Sequence, residues 1–150
     1  METIDRVMLS MKSAEASVYN IRARPGNASI PGIPMTPQIA NLLKLVGTPR
    51  DGALLRFSLG SEYMKDADFE SAIVHLRAAV GKEPGYSAAW KLLGKALAEG
   101  GRTDEALAAY RDGIEVAEGK GDRQAAREMT VFARRLEKVI ASGKGTPARS

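Results

Sequence analysis

A period of 34 residues constrains this chain more than any other feature. When Ala53 is set against Ser87, Arg56, Leu59, Gly60 and Tyr63 of one copy fall on Trp90, Leu93, Gly94 and Leu97 of the next. Ala72 and Leu76 likewise fall on Ala106 and Tyr110, and the first copy adds Ala79 and Pro84. Self-similarity at this interval means one supersecondary unit used twice, each copy too small to bury its apolar face without a neighbour.

Each copy reads as two helices. Leu55, Leu59, Gly60 and Tyr63 recur three or four apart between Ala53 and Lys65, and Phe69, Ala72, Ile73, Leu76 and Val80 do the same in the next segment. That spacing marks one helical face. A glycine inside a helix costs about 0.5–1 kcal/mol against alanine. Its recurrence at Gly60 and Gly94, each answered by an alanine at Ala72 and Ala106, predicts a close helix crossing from which side-chain bulk has been removed.

The period and these residues resemble the tetratricopeptide repeat, and the arrangement from Met35 to Ile140 resembles small stand-alone bacterial members of that family. The resemblance implies an all-α fold, a short superhelix of antiparallel helix pairs, acting as a scaffold or adaptor. Residues 1–34 then form an N-terminal extension, residues 35–141 the repeat domain and residues 142–150 a disordered tail. Inside the domain the expected elements are a cap helix over 37–46, repeat one over 53–86, repeat two over 87–120 and a C-terminal cap helix over 122–140. Two repeats are few for a continuous core, so the cap helices are expected to supply the missing neighbours. Thr36, Asp51, Asp68, Thr103 and Asp122 are the expected N-capping side chains, with Pro37 opening the first helix. Gly47, Pro84–Gly85 and Gly119 are the expected stops.

The extension is read as a short amphipathic helix from about Thr3 to Tyr19, through Ile4, Val7, Met8, Met11 and Val18, followed by a flexible linker rich in Pro and Gly up to Pro34. Either it belongs to the functional protein or Met35 is the true start. Glu2, Asp5 and Arg6 interrupt any secretory signal. The chain has no cysteine, which excludes disulfides and thiol chemistry, and no apolar run reaches membrane-spanning length. These features suit a cytoplasmic protein. The net charge of +4 admits an alternative function, a basic nucleic-acid-associated accessory protein. The interspersed signs and an aromatic content of 5% argue against it.

In tetratricopeptide arrays the first helix of each repeat lines a concave groove. Carried over by position, this implies Leu54, Phe57, Ser61 and Met64 from repeat one, and Ala88, Lys91, Lys95 and Ala98 from repeat two. Asp122, Ala125, Met129 and Phe132 continue the row if the last helix keeps phase. Such a groove, apolar on one side with two lysines a helical turn apart, suits a partner peptide with an apolar anchor and an acidic group or terminal carboxylate. The plainer reading makes the lysines a solvated face. The clamp by which some relatives grip chaperone tails is not matched, since Phe57, Ser61, Leu92, Asp122 and Ala126 stand at its five places.

Arg134, Arg135 and Lys138 form the densest basic cluster, read as solvation of the last helix or as a contact for an acidic partner. His75, the only histidine, lacks a catalytic or metal-ligating constellation and is expected at the surface or half-buried. Asp66 and Asp68 lack the rest of a calcium loop, and Gly143 to Thr146 lacks the upstream spacing of a phosphate loop. Trp90 is expected in the core. The functional expectation is a non-catalytic protein-interaction module, without cofactor or metal, that binds a protein segment or a second copy of itself.

Overall fold

The computed structural model describes residues 35–143. The expected Thr3–Tyr19 helix, the linker and residues 144–150 lie outside them. Six helices and no strand occur among the described residues: α1 (Pro37–Leu43), α2 (Ala53–Lys65), α3 (Phe69–Lys82), α4 (Ser87–Glu99), α5 (Thr103–Gly119) and α6 (Arg123–Ala141). The fold is all-α, as the repeat predicts. The described residues divide between two compact units, with the boundary between Asn41 and Leu42.

α1 begins as expected. Thr36 Oγ1 accepts from the Ile39 N–H at 3.3 Å, and Pro37 needs no donor at the first helical position. The helix stops at Leu43 rather than Val46, because the chain tightens into three-residue turns, Leu45 N–H to Leu42 and Val46 N–H to Leu43.

In the second unit α2 pairs with α3 and α4 with α5, while α3 packs on α4 and α6 closes on α5. α4 also touches both α2 and α6, so the first helices of the two hairpins stand side by side. The turns share one geometry. Asp68 N–H reaches the Tyr63 carbonyl at 2.9 Å, Arg102 N–H the Leu97 carbonyl at 2.8 Å, and Asp122 N–H the Ala117 carbonyl at 2.8 Å. Each bond spans one residue in the left-handed region, Ala67, Gly101 and Gly121 respectively, the signature of a Schellman end. The expected stop at Gly119 is therefore two residues early: Gly119 is the last helical residue, and Gly121, at φ +78°, reverses the chain.

The crossing glycines do what their recurrence implied. A Cβ built on Gly60 would stand 2.5 Å from Leu76 Cγ, and one on Gly94 would stand 2.5 Å from Tyr110 Cε1. The side chains that fill these spaces are thus Leu76 and Tyr110, one helical turn beyond the alanines expected to face the glycines. A third close approach went unread in the sequence. At Gly113 a Cβ would meet Met129 Sδ at 2.6 Å and Trp90 Cβ at 2.7 Å, which lets α6 and α4 seat against α5.

Two expected caps are corrected. The residue ahead of α2 is Gly52 rather than Asp51, with no side-chain cap. Asp51 instead accepts the Gly47 N–H at 2.8 Å and grips Arg56 through Nε at 2.7 Å and Nη2 at 2.8 Å. Thr103 is already the first residue of α5, and Arg102 takes the cap position. Asp68 and Asp122 are caps as expected, accepting from the N–H groups of Ser71 and Ala125.

Arg56 occupies the place that Trp90 holds in the second copy, so a buried charge replaces an indole. Arg56 is 4% exposed, and its Nη1 lies 3.2 Å from Nδ1 of His75. Since a guanidinium has only donors, the imidazole accepts. His75 is fully buried rather than at the surface or half-buried, its ring stacked on Tyr63 with centroids 5.5 Å apart.

Trp90 is half-buried rather than core. It lies against the cluster of Leu107, Tyr110, Ala117, Met129 and Ala133, and its indole N–H donates to the Pro84 carbonyl at 2.8 Å. Trp90→Ala should therefore cost about 2–3 kcal/mol, less than the roughly 3–5 of a fully buried indole. Urea unfolding of the variant checks this, and a loss under about 1 kcal/mol would contradict it.

Candidate functional site

Side-by-side first helices leave a concave groove of about 520 Å³. α2 contributes Phe57 and Ser61, α4 contributes Lys91, Leu92 and Lys95, and α6 contributes Glu128 and Phe132, with Tyr110 of α5 also in the lining. Phe57 packs its ring on Tyr86 at 5.0 Å between centroids. Phe132 packs on Tyr110 at 5.5 Å and is 36% exposed. Burial pushes the Tyr110 hydroxyl up to about 12, with help from the Glu99 charge, so the tyrosine stays protonated and neutral.

Six of the expected positions meet here: Phe57, Ser61, Ala88, Lys91, Lys95 and Phe132. Others do not. Leu54 is 69% exposed and Met64 is half-buried, both outside this groove. Met129 is corrected outright: it is fully buried in the cluster under α5 and α6. Ala125 is buried as well, and Asp122 is occupied as a cap, also accepting from Ser87 Oγ at 3.2 Å. The reason is a change of phase. α5 has 17 residues where α3 has 14, and the third row of the groove advances by the same three residues. The rows therefore run Phe57, Lys91, Glu128 and Ser61, Lys95, Phe132.

This shift brings in Glu128, which sequence reasoning missed. Lys91 donates to its carboxylate, as does Gln124 at 3.2 Å. These hydrogen bonds, that of Lys91 above all, hold the Glu128 carboxyl below the usual range. The groove thus carries one lysine joined to a glutamate and a second, Lys95, that is exposed and makes no ion pair among the described residues. The absence of a proline stop at Glu118, where the first copy has Pro84, was the signal of a longer helix that could have found Glu128.

The expected basic cluster is parted. The Arg135 guanidinium lies 5.7 Å over the Phe132 ring, at the groove, whereas Arg134 lines a hollow with Arg127 and Val131. Lys138 is exposed one turn beyond Arg134. On the hairpin junction, Arg102 and Arg77 share Glu105 at 2.7 Å each, which ties α3 to α5 and holds the Glu105 carboxyl at about 2, through Arg102 first.

Among the described residues no group of three or more His, Asp or Glu could hold a metal ion, and no helix is long and apolar enough to cross a membrane.

The family model of the tetratricopeptide repeat matches residues 57–123. The TPR repeat-containing protein PA0015 of Pseudomonas aeruginosa is 45% identical over 101 residues, which is 67% of this chain and 96% of that protein. The chain belongs to the tetratricopeptide repeat family. Among solved structures, protein BPP2914 from Bordetella parapertussis is 39% identical, with a TM-score of 0.60 over 69% of this chain and 90% of its own. A tetratricopeptide repeat domain protein from Salinibacter ruber is 27% identical, with a TM-score of 0.56 over 59% of this chain and 90% of its own. The family name accounts for the crossing glycines and paired helices. Arg56 in the tryptophan place and Glu128 across the groove are features of this chain's own residues.

Proposed function

We propose that this tetratricopeptide repeat protein is a non-catalytic interaction module that takes a segment of a partner protein in the groove between Phe57, Lys95 and Phe132. The observation that carries the reading is the pairing in that groove of aromatic walls with an exposed lysine. Phe57 and Phe132 offer apolar surface on either side of α4, and Lys95 offers a cation not engaged in an ion pair among the described residues. A segment bearing a large apolar residue near a carboxylate fits both. The Lys91–Glu128 pair lies in the lining and would favour a partner that hydrogen-bonds without displacing either charge.

Peptides selected from a random library on the immobilised protein should share an aromatic or large aliphatic residue close to an acidic one. They should bind Phe57→Ala and Lys95→Glu variants about tenfold more weakly, the scale of losing one anchor of roughly 1.4 kcal/mol. Selected peptides that bind the variants as well as the parent would place their contact elsewhere and overturn the reading.

A further inference from the structure

A second hollow, of about 750 Å³, runs along the outer face of α6. Arg123, Arg127 and Arg134 rise from it, four and seven residues apart on one helical stripe, with Ala126, Thr130 and Val131 between them and Glu118 of α5 at the edge. Val131 is 47% exposed, one of the large apolar side chains the described residues leave in solvent. Thr130 commits its hydroxyl to the Ala126 carbonyl at 2.7 Å. Elsewhere in this unit Arg56 is matched with Asp51, Arg77 and Arg102 with Glu105, and Arg111 with Glu137, whereas among the described residues the isolated Arg50 and Arg135 make no ion pair. Among the described residues Arg123, Arg127 and Arg134 make no ion pair. No helix follows α6 in the described residues, so this is the side on which a further repeat would stand.

We propose that this face docks an acidic amphipathic helix of a partner protein, laid beside α6 with an apolar residue on Val131 and carboxylates toward the three guanidiniums. Charge complementarity selects this occupant. Three cations against one carboxylate call for an anionic surface, and guanidiniums pair carboxylates bidentately. A second copy presenting the same face would set arginine against arginine. A nucleic-acid strand would need an unbroken basic track, whereas here the floor is apolar, Glu118 interrupts the edge, and the stripe from Arg123 to Arg134 spans only roughly 16 Å. The site is separate from the concave groove, and its fate does not depend on that reading.

The test uses the full chain and a fluorescein-labelled helical peptide of glutamate, leucine and alanine with its glutamates on one face, read by anisotropy. A counterpart with lysine for every glutamate and anionic phosphatidylserine vesicles are the comparison probes. The acidic peptide should bind, the lysine peptide should not, and Arg123→Glu/Arg127→Glu/Arg134→Glu should weaken binding at least about tenfold, with Val131→Asp weakening it several-fold. Arginine-to-lysine changes at the three positions should restore part of the affinity, through the charge without the bidentate geometry, which a merely misfolded protein would not do. Undiminished binding by the triple glutamate variant would overturn the proposal. So would loss on Lys95→Glu in place of the arginine changes, which would put the peptide in the concave groove. Failure of the acidic peptide to bind, or arginine-dependent binding of vesicles tighter than that of the peptide, would overturn it too.

Discussion

The Gly94→Leu variant is expected to lose roughly 3 kcal/mol or more of folding stability, at or beyond the usual range for overpacking. A Cβ alone at this position stands 2.5 Å from Tyr110 Cε1 and 2.7 Å from Cδ1 and Cζ. The ring cannot turn aside, because it is buried and stacked on Phe132. α4 and α5 would have to separate, or the tyrosine would have to leave the cluster of Leu107, Ala117 and Met129. Gly81 is the internal control. It sits in α3 with open space where a Cβ would go, so Gly81→Ala should gain up to about 0.5–1 kcal/mol from helix propensity. Thermal unfolding by circular dichroism separates the two. Equal midpoints for Gly94→Leu and the parent would remove the close crossing from the account.

The second large effect concerns the charge buried in place of an indole. Asp51→Ala should cost about 3 kcal/mol, the scale of breaking a buried ion pair by removing one partner. The carboxylate takes two hydrogen bonds from Arg56 and one from the Gly47 N–H, and all three bonds are lost together. Arg56→Met in the Asp51→Ala background should recover part of the loss, because an apolar side chain then fills the site without a charge. The pair also sets a pH dependence. The Arg56 hydrogen bonds hold the Asp51 carboxyl at about 2, against 3.8 for an ordinary one. A depressed folded-state pKa contributes stability above the unfolded value that is lost as pH falls through the folded one. Asp51 should therefore contribute about 2 kcal/mol above pH 4 that disappears towards pH 2. Denaturant curves across that window should fall less steeply for Asp51→Ala than for the parent. Parallel curves would mean the carboxylate is not held by Arg56.

What the sequence made legible is what depends on neighbours close along the chain. The helical periodicity, the glycines that open each hairpin crossing, and the caps at Asp68 and Asp122 all arise within a few residues, so local patterns disclosed them. Asp51 misled for the same reason: an acidic residue two before a helix has the look of a cap, but Arg56 takes its carboxylate sideways. His75 read as a surface or half-buried residue because its partners, Arg56 and Tyr63, lie on the preceding helix. Trp90 read as core because indoles in this place fill the gap between helices, yet it packs only in part against the cluster of α5 and α6 and gives its N–H to the exposed Pro84 carbonyl. In the groove, phase decided the outcome. Phe57, Ser61, Lys91 and Lys95 were found from a 34-residue step, and the last helix was misaligned because α5 runs three residues longer. That error put Met129 in the groove and left Glu128 out. The Arg123, Arg127 and Val131 stripe was passed over because charges on a terminal helix read as solvation until the absence of carboxylate partners among the described residues is seen.

The most direct test of the central claim is a nuclear magnetic resonance titration of the isotopically labelled protein with a library-selected peptide. The account predicts that amide and methyl shifts concentrate at Phe57, Ser61, Leu92, Lys95 and Phe132, and that Lys95→Glu shrinks them several-fold at the same subsaturating peptide concentration. Shifts confined to α3 or the outer face of α5, with the groove residues unmoved, would contradict it.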